Sequence, residues 1–219
     1  MSVKSGLGVL SLAFAAVAYS SYMVGTLKGQ TRPHPFTWFL FSVLTGTGYL
    51  IQVAQGGGPG SWVMGVTALI CIGLAVATLL KGGWEWSEFD RLDWALLLVA
   101  IAVFIVYLAT KAATLSACLA TATDVIAYGP AIKLLWRDPW RDKASMYGWN
   151  SAKFLPSIFA LQSRSIATML YPATLVAVNA AVAIVVIARR KYVPAPLAKR
   201  KIAQGAEPLK AMIATSNQQ

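Results

Sequence analysis

The sequence predicts an all-α integral membrane protein, with seven transmembrane helices arranged as two parallel three-helix bundles joined by a linker helix (3+1+3). Three observations carry that expectation. Hydrophobic residues fill 57% of 219 positions and charged residues only 12%, with a mean hydropathy of +0.60, which leaves too few charges to cover a soluble domain of this size. Apolar runs near the roughly twenty residues that cross a hydrocarbon core recur along the whole chain. A short motif also repeats at the ends of the first and fifth runs.

Taken in order, the first run is Leu7 to Leu27. Lys4, the apolar stretch from Leu7 and the small residues Ala16 to Ala18 imitate a secretory signal peptide, but we read the segment as a retained first helix. The next runs are Phe36 to Ala54, Ser61 to Leu80, Leu92 to Thr110, Ala112 to Trp136, Met146 to Leu161 and Ile166 to Ala188. The sixth is short and holds Asn150, Lys153 and Pro156. The chain thus divides into a first three-helix repeat (1–81), an inner loop with the linker helix (82–111), a second three-helix repeat (112–191) and a basic tail (192–219).

Connections and charge set the expected orientation. Gly56 to Gly60 make a tight turn, so the second and third spans are antiparallel neighbours. Lys111 marks an equally short junction between the fourth and fifth. The longer 81–91 connection carries Trp84 and Trp86, suited to a membrane interface, and offers Ser87 or Asp90 as a helix cap. Basic residues gather in alternate loops at Lys28 and Arg32, Lys81 and Arg91, and Arg137, Arg141 and Lys143, and again in the tail from Arg189 to Lys210. The opposite side has only Lys4, Lys111 and Arg164. The positive-inside rule then places the N-terminus outside and the C-terminus in the cytoplasm. The net charge of +11 is explained by this topology signal and by anionic headgroups, and needs no nucleic acid. Pro194, Pro196, Gly205 and Pro208 argue against a long helix in the tail.

The repeat is short but falls in register. Lys28, Arg32 and Pro33 close the first span as Lys133, Arg137 and Pro139 close the fifth. Tyr22 and Tyr128 precede those lysines at similar spacing, and Trp38 and Trp149 follow near the start of the next span. Parallel repeats of this kind are a transporter architecture.

The run Gly29-Gln30-Thr31-Arg32-Pro33-His34-Pro35-Phe36-Thr37-Trp38, then Gln52, Gly56 to Gly60, Asp124 to Pro139, and Tyr171-Pro172 with Asn179 resembles bacterial PQ-loop membrane proteins. That family is similar to the SWEET and SemiSWEET sugar transporters and, more distantly, to lysosomal amino-acid exporters and KDEL receptors. The resemblance spans about Leu7 to Lys191. It implies a plasma-membrane protein of the bacterial inner membrane and a central path for a small polar solute, lined by a basic residue at the position of Lys153. Neither repeat carries a Pro-Gln dipeptide, and the first span has no proline matching Pro130.

Candidate site residues come from polar groups inside apolar spans. On the second span Trp38, Ser42, Thr45, Tyr49 and Gln52 are spaced by four, three, four and three and share one narrow helical face. Such a face either bonds neighbouring helices or forms a cavity wall. Thr121, Asp124 and Tyr128 share a face on the fifth span, as do Asn150, Lys153 and Ser157 on the sixth, and Asn179 lies near the middle of the seventh. Asp124 and Lys153 are the charges furthest from an interface, so they are expected to face each other or share a polar cavity. The pair either fixes the packing of two helices as an ion pair or takes part in function, Asp124 exchanging a proton or the pair contacting a solute. Pro130, Pro156 and Pro172 are the expected pliable points.

Other residues offer less. Cys71 and Cys118 read as small core residues. His34, the only histidine, reads as a solvated turn residue and makes no metal site alone. There is no paired-carboxylate, nucleophile-base or phosphate-loop pattern, so catalysis, cofactors and metals are not expected. Two readings follow: alternating-access transport of a sugar, amino acid or organic acid, or a non-transporting scaffold in a larger membrane complex. A monomer suffices for a path, and a homodimer or a complex partner is compatible with it.

Overall fold

Seven α-helices account for nearly all of the chain that the computed structural model describes, namely residues 2–28, 35–81, 91–140 and 144–195. They are α1 (Val3–Leu27), α2 (Pro35–Ala54), α3 (Trp62–Lys81), α4 (Arg91–Thr110), α5 (Ala113–Arg137), α6 (Ala144–Ala160) and α7 (Ile166–Arg190). A 3-10 turn over Gly58–Ser61 precedes α3, and no strand occurs among the described residues. Gln30, Arg32, Pro33, His34, Trp84, Trp86, Ser87, Asp90, Arg141, Lys143 and the tail from Pro196 lie outside the described residues.

Local chemistry explains where helices start and stop. Ser2 caps α1 by accepting from the Ser5 amide at 3.1 Å, and Ser165 and Thr168 form a reciprocal capping box at the start of α7. Between α2 and α3, Gly56 and Gly58 adopt φ of 71° and 62°, a left-handed conformation that glycine enters without a Cβ penalty. Lys111, the first of the two residues that link α4 to α5, takes φ of 54° without that advantage.

Five helical segments are long and apolar enough to cross a membrane: Val3–Leu27, Pro35–Ala54, Gly58–Leu80, Arg91–Thr110 and Ile166–Arg190. They fit a membrane-embedded chain. The sequence suggested seven spans, and α5 and α6 fall short of the same measure. The cause is where their polar groups go. Ser116, Thr121, Thr123 and Asp124 of α5 and Asn150, Lys153 and Ser157 of α6 are all buried inside the bundle, which lowers the mean hydropathy. The outer faces of both helices stay apolar, with Leu115, Leu119, Ile126, Leu155 and Phe159 exposed. At 17 residues, α6 is also only about 26 Å long at about 1.5 Å per residue.

The helices pack in a definite order. α3 lies against both α1 and α2, and α7 lies against both α5 and α6. The seams α1–α6 and α2–α5 join these groups, while α4 packs on α2 and α5. One end of the bundle, here the glycine end, gathers the α1 start, the Gly58–Ser61 turn and the α6–α7 link. The other, basic end gathers the α1 and α7 C-termini and the starts of α2, α4 and α6. A central apolar cluster built around Leu44, Val63, Ala100, Phe154 and Leu175 fills much of the space between them.

The glycine end is tied shut. Lys4 donates to the Leu161 carbonyl at 3.0 Å, the Gln162 amide donates to the Gly57 carbonyl at 3.0 Å, and the Gln52 amide nitrogen donates to the Thr168 carbonyl at 2.8 Å. At the basic end Arg189 donates to the Trp136 carbonyl and Arg190 to the Pro139 carbonyl, each at 3.0 Å. Both guanidinium groups also stack over tryptophan rings, at 4.7 Å on Trp136 and 4.8 Å on Trp140.

Candidate functional site

A cavity of about 280 Å³ lies in the half of the bundle nearer the basic end, and every helix contributes to its wall. Its polar lining contains Trp38 and Thr45 of α2, Asp124 and Tyr128 of α5, Asn150 and Lys153 of α6, and Asn179 of α7. Seven of the residues expected from sequence therefore meet in one space. The volume sits at the lower edge of the roughly 300–1,000 Å³ common in ligand pockets, which suits a small metabolite.

The same α2 face also holds Ser42, Tyr49 and Gln52, and these do not line the cavity. Their positions correct the expectation of one continuous polar wall. Ser42 turns back to its own helix, donating to the Phe39 carbonyl at 2.7 Å. Tyr49 packs its ring against Gly65 of α3. Gln52 ties α2 to α7 at the glycine end. A helical face is wide enough to meet more than one neighbour, and here two of the three side chains reach different helices while Ser42 stays with its own.

Lys153 is fully buried. Its ammonium donates to the Tyr19 hydroxyl of α1 at 2.7 Å and lies 4.1 Å from the Tyr19 ring centre and 4.6 Å from that of Phe154. Asp124 is 1% exposed, and its Oδ2 has no hydrogen-bond partner among the described residues. The two charges share the cavity, but no ion pair of 4.0 Å or less joins them. The mutual ion pair considered from the sequence is thus not formed. The α1–α6 seam claims the lysine, and α7 stands between α5 and α6.

Other polar atoms face inward with unused capacity. Asn150 Oδ1 is buried without a hydrogen bond, whereas the Thr67 and Tyr171 hydroxyls, which make none of good geometry, face the Tyr19 hydroxyl and the Asp124 carboxyl group. Asn179 is oriented by two bonds, donating to the Leu175 carbonyl at 2.8 Å and to the Tyr128 hydroxyl at 3.1 Å. Thr121 and Ser157, which share faces with Asp124 and Lys153, instead bond their own helices, to the carbonyls of Ala117 and Phe154.

Aromatic rings form much of the remaining wall. Trp38 meets Tyr22 at 5.2 Å, Tyr19 at 6.1 Å and Phe41 at 6.4 Å between ring centres, and Phe41 meets Tyr128 at 5.7 Å. Tyr19, Phe41, Tyr147 and Asp93 were not singled out from the sequence, although all four line the cavity. A signal for Tyr19 exists in the α1 stripe Ser11, Ala15, Ala18, Tyr19 and Thr26, whose helical spacing marks one buried face. Tyr22 and Tyr128 were matched as repeat partners, and both reach the cavity.

The cysteines separate. Cys71 is buried in the cavity wall, whereas Cys118 is exposed rather than a core residue. Of the expected pliable points, Pro156 and Pro172 are buried inside α6 and α7; the Pro130 side chain lies outside the described residues. Among the described residues no group of three His, Cys, Asp or Glu side chains is placed to hold a metal. No protein-family model, curated protein or solved structure matches the chain.

Proposed function

We propose that this chain is a membrane transporter for a small polar solute, working by alternating access, with all seven helices embedded and α1–α3 and α5–α7 acting as parallel three-helix repeats around α4. The observation that carries the reading is the central cavity, walled by every helix and holding buried polar atoms with no partner. A scaffold subunit gains nothing from such atoms, since each costs free energy that side-chain packing would avoid.

Helix order supports the repeat. In each triple the third helix packs on the first and second, and exchanging the triples exchanges the α1–α6 seam with the α2–α5 seam. This is the relation expected of two parallel repeats around an axis along the membrane normal. The resemblance to PQ-loop and SWEET-like proteins is consistent with it. The glycine end tied by Lys4, Gln52 and Gln162, with the cavity displaced toward the basic end, corresponds to one end state of an alternating cycle. By the positive-inside rule that basic end faces the cytoplasm, and the PQ-loop resemblance implies a bacterial inner membrane.

The test is flux. Purified protein in proteoliposomes, assayed for counterflow of labelled amino acids, organic acids and monosaccharides, is expected to pass at least one of them, and Asp124→Asn to lower that rate tenfold or more, roughly the loss of one charge-assisted contact. Absence of flux for all three classes, with the native protein recovered in a stoichiometric complex with other membrane subunits, would reject transport.

A further inference from the structure

Two deeply buried groups of opposite charge, Asp124 and Lys153, line the cavity without pairing with each other, and Asp93 adds a half-buried carboxyl group to the same wall. Lys153 carries three ammonium donors, and its one hydrogen-bond acceptor among the described residues is the Tyr19 hydroxyl. Asp124 Oδ2 has no hydrogen bond of good geometry, and the Tyr171 hydroxyl is the neutral donor that faces its carboxyl group. An ion pair is the usual way to bury two such groups, and these two side chains share a cavity without forming one.

We propose that the ligand of this cavity is a small zwitterion, its ammonium seated at Asp124 and its carboxylate at Lys153. The inference rests on the transport reading and narrows its substrate class. A neutral sugar would leave both protein charges uncompensated in a site from which it had displaced water. A simple anion would satisfy Lys153 and be repelled by Asp124, and a simple cation would do the reverse. A solute carrying both signs answers both groups in their ionised forms.

The rest of the wall fits that chemistry. Trp38, Phe41 and Tyr128 line the cavity, and aromatic rings suit an apolar body and attract an ammonium group. Asn150 Oδ1 adds an acceptor without a bond of its own. A volume of about 280 Å³ is room for several water molecules at roughly 30 Å³ each, which admits an amino-acid-sized skeleton.

The experiment uses the full chain, purified in detergent, and reads the ligand-induced rise in unfolding temperature. Each of the twenty common amino acids is titrated singly. The tightest binder is then compared with its own decarboxylated amine, its own deaminated acid and glucose. The expected result is that both singly charged analogues bind about tenfold or more weakly than the amino acid. Lys153→Met should erase the preference over the amine while keeping that over the acid, and Asp124→Asn should do the opposite. If either variant fails to fold, the analogue series on the native protein decides alone. Binding of glucose or of one singly charged analogue as tightly as any amino acid would overturn the zwitterion and leave transport standing. If no probe shifts the unfolding temperature and none crosses proteoliposomes, both readings fall.

Discussion

Gln52 shows how a polar residue that the sequence marks as a candidate site can be explained by a backbone defect elsewhere. Pro172 sits inside α7 and has no amide hydrogen, so the Thr168 carbonyl four residues earlier lacks its helical donor. The Gln52 side chain supplies one from α2 at 2.8 Å. In a medium without water that carbonyl must be satisfied by protein. Gln52→Leu is therefore expected to lower stability by about 1–2 kcal/mol. Pro172→Ala restores an amide at that carbonyl, so in its background the same change should cost clearly less. Thermal unfolding of the four proteins of the cycle measures the coupling, and strictly additive losses would reject it. Tyr19→Phe offers a parallel case: it keeps the ring under Lys153 and removes the hydroxyl that accepts from it. The expected loss is about 1.5–3 kcal/mol, the range for hydrogen bonds to charged groups, read as a lower unfolding temperature. An unchanged temperature would mean that water or Asn150 takes over the ammonium.

At the level of elements, the Gly58–Ser61 turn is pressed against α6. A Cβ added at Gly60 would meet the Leu161 nitrogen and Ser157 carbonyl oxygen at 2.6 Å and the Leu161 Cα at 2.8 Å. These are backbone atoms that cannot rotate away. Gly60→Ala is expected to cost about 1–3 kcal/mol, as overpacking does, and to part the turn from α6. Gly129→Ala, with nothing within 4 Å of the new carbon and a helical position on α5, should instead be neutral or gain up to about 1 kcal/mol. Equal effects from the two changes would reject the close approach. The same elements show what was legible in the sequence. Helix ends such as Ala54, Thr110 and Ile166 were readable to the residue, because apolar runs and Gly, Pro and Lys punctuation are local signals. Partnership was not. The face carrying Trp38, Ser42, Thr45, Tyr49 and Gln52 is correct as a helical stripe, but spacing along one helix does not say which neighbour each side chain meets. The contact of Lys153 with Tyr19 spans 134 positions and leaves no trace in local pattern, which is why an ion pair with Asp124 looked equally suitable.

For the molecule as a whole, the ties at the glycine end and the cavity near the basic end make the protein asymmetric across its thickness. Helices in lipid associate through close packing and polar bonds rather than hydrophobic burial, so a few hydrogen bonds can decide which end is shut. Cys71 reports on that asymmetry, because its thiol lies in the cavity wall. In sealed vesicles of the Cys118→Ser protein, a charged, membrane-impermeant thiol reagent is expected to modify Cys71 slowly, because only 1% of the residue is exposed, and from the face that bears the α7 C-terminus rather than the other. The rate should fall when the cavity is occupied by a bound solute, since ligand and reagent compete for one space. Gly60→Ala loosens the turn that closes the glycine end, so it should open a second route and raise labelling from the opposite face. Equal labelling of the wild-type cavity from both faces would mean that the ties of Lys4, Gln52 and Gln162 do not form a barrier, and a single-ended cavity could not then represent one state of an alternating cycle.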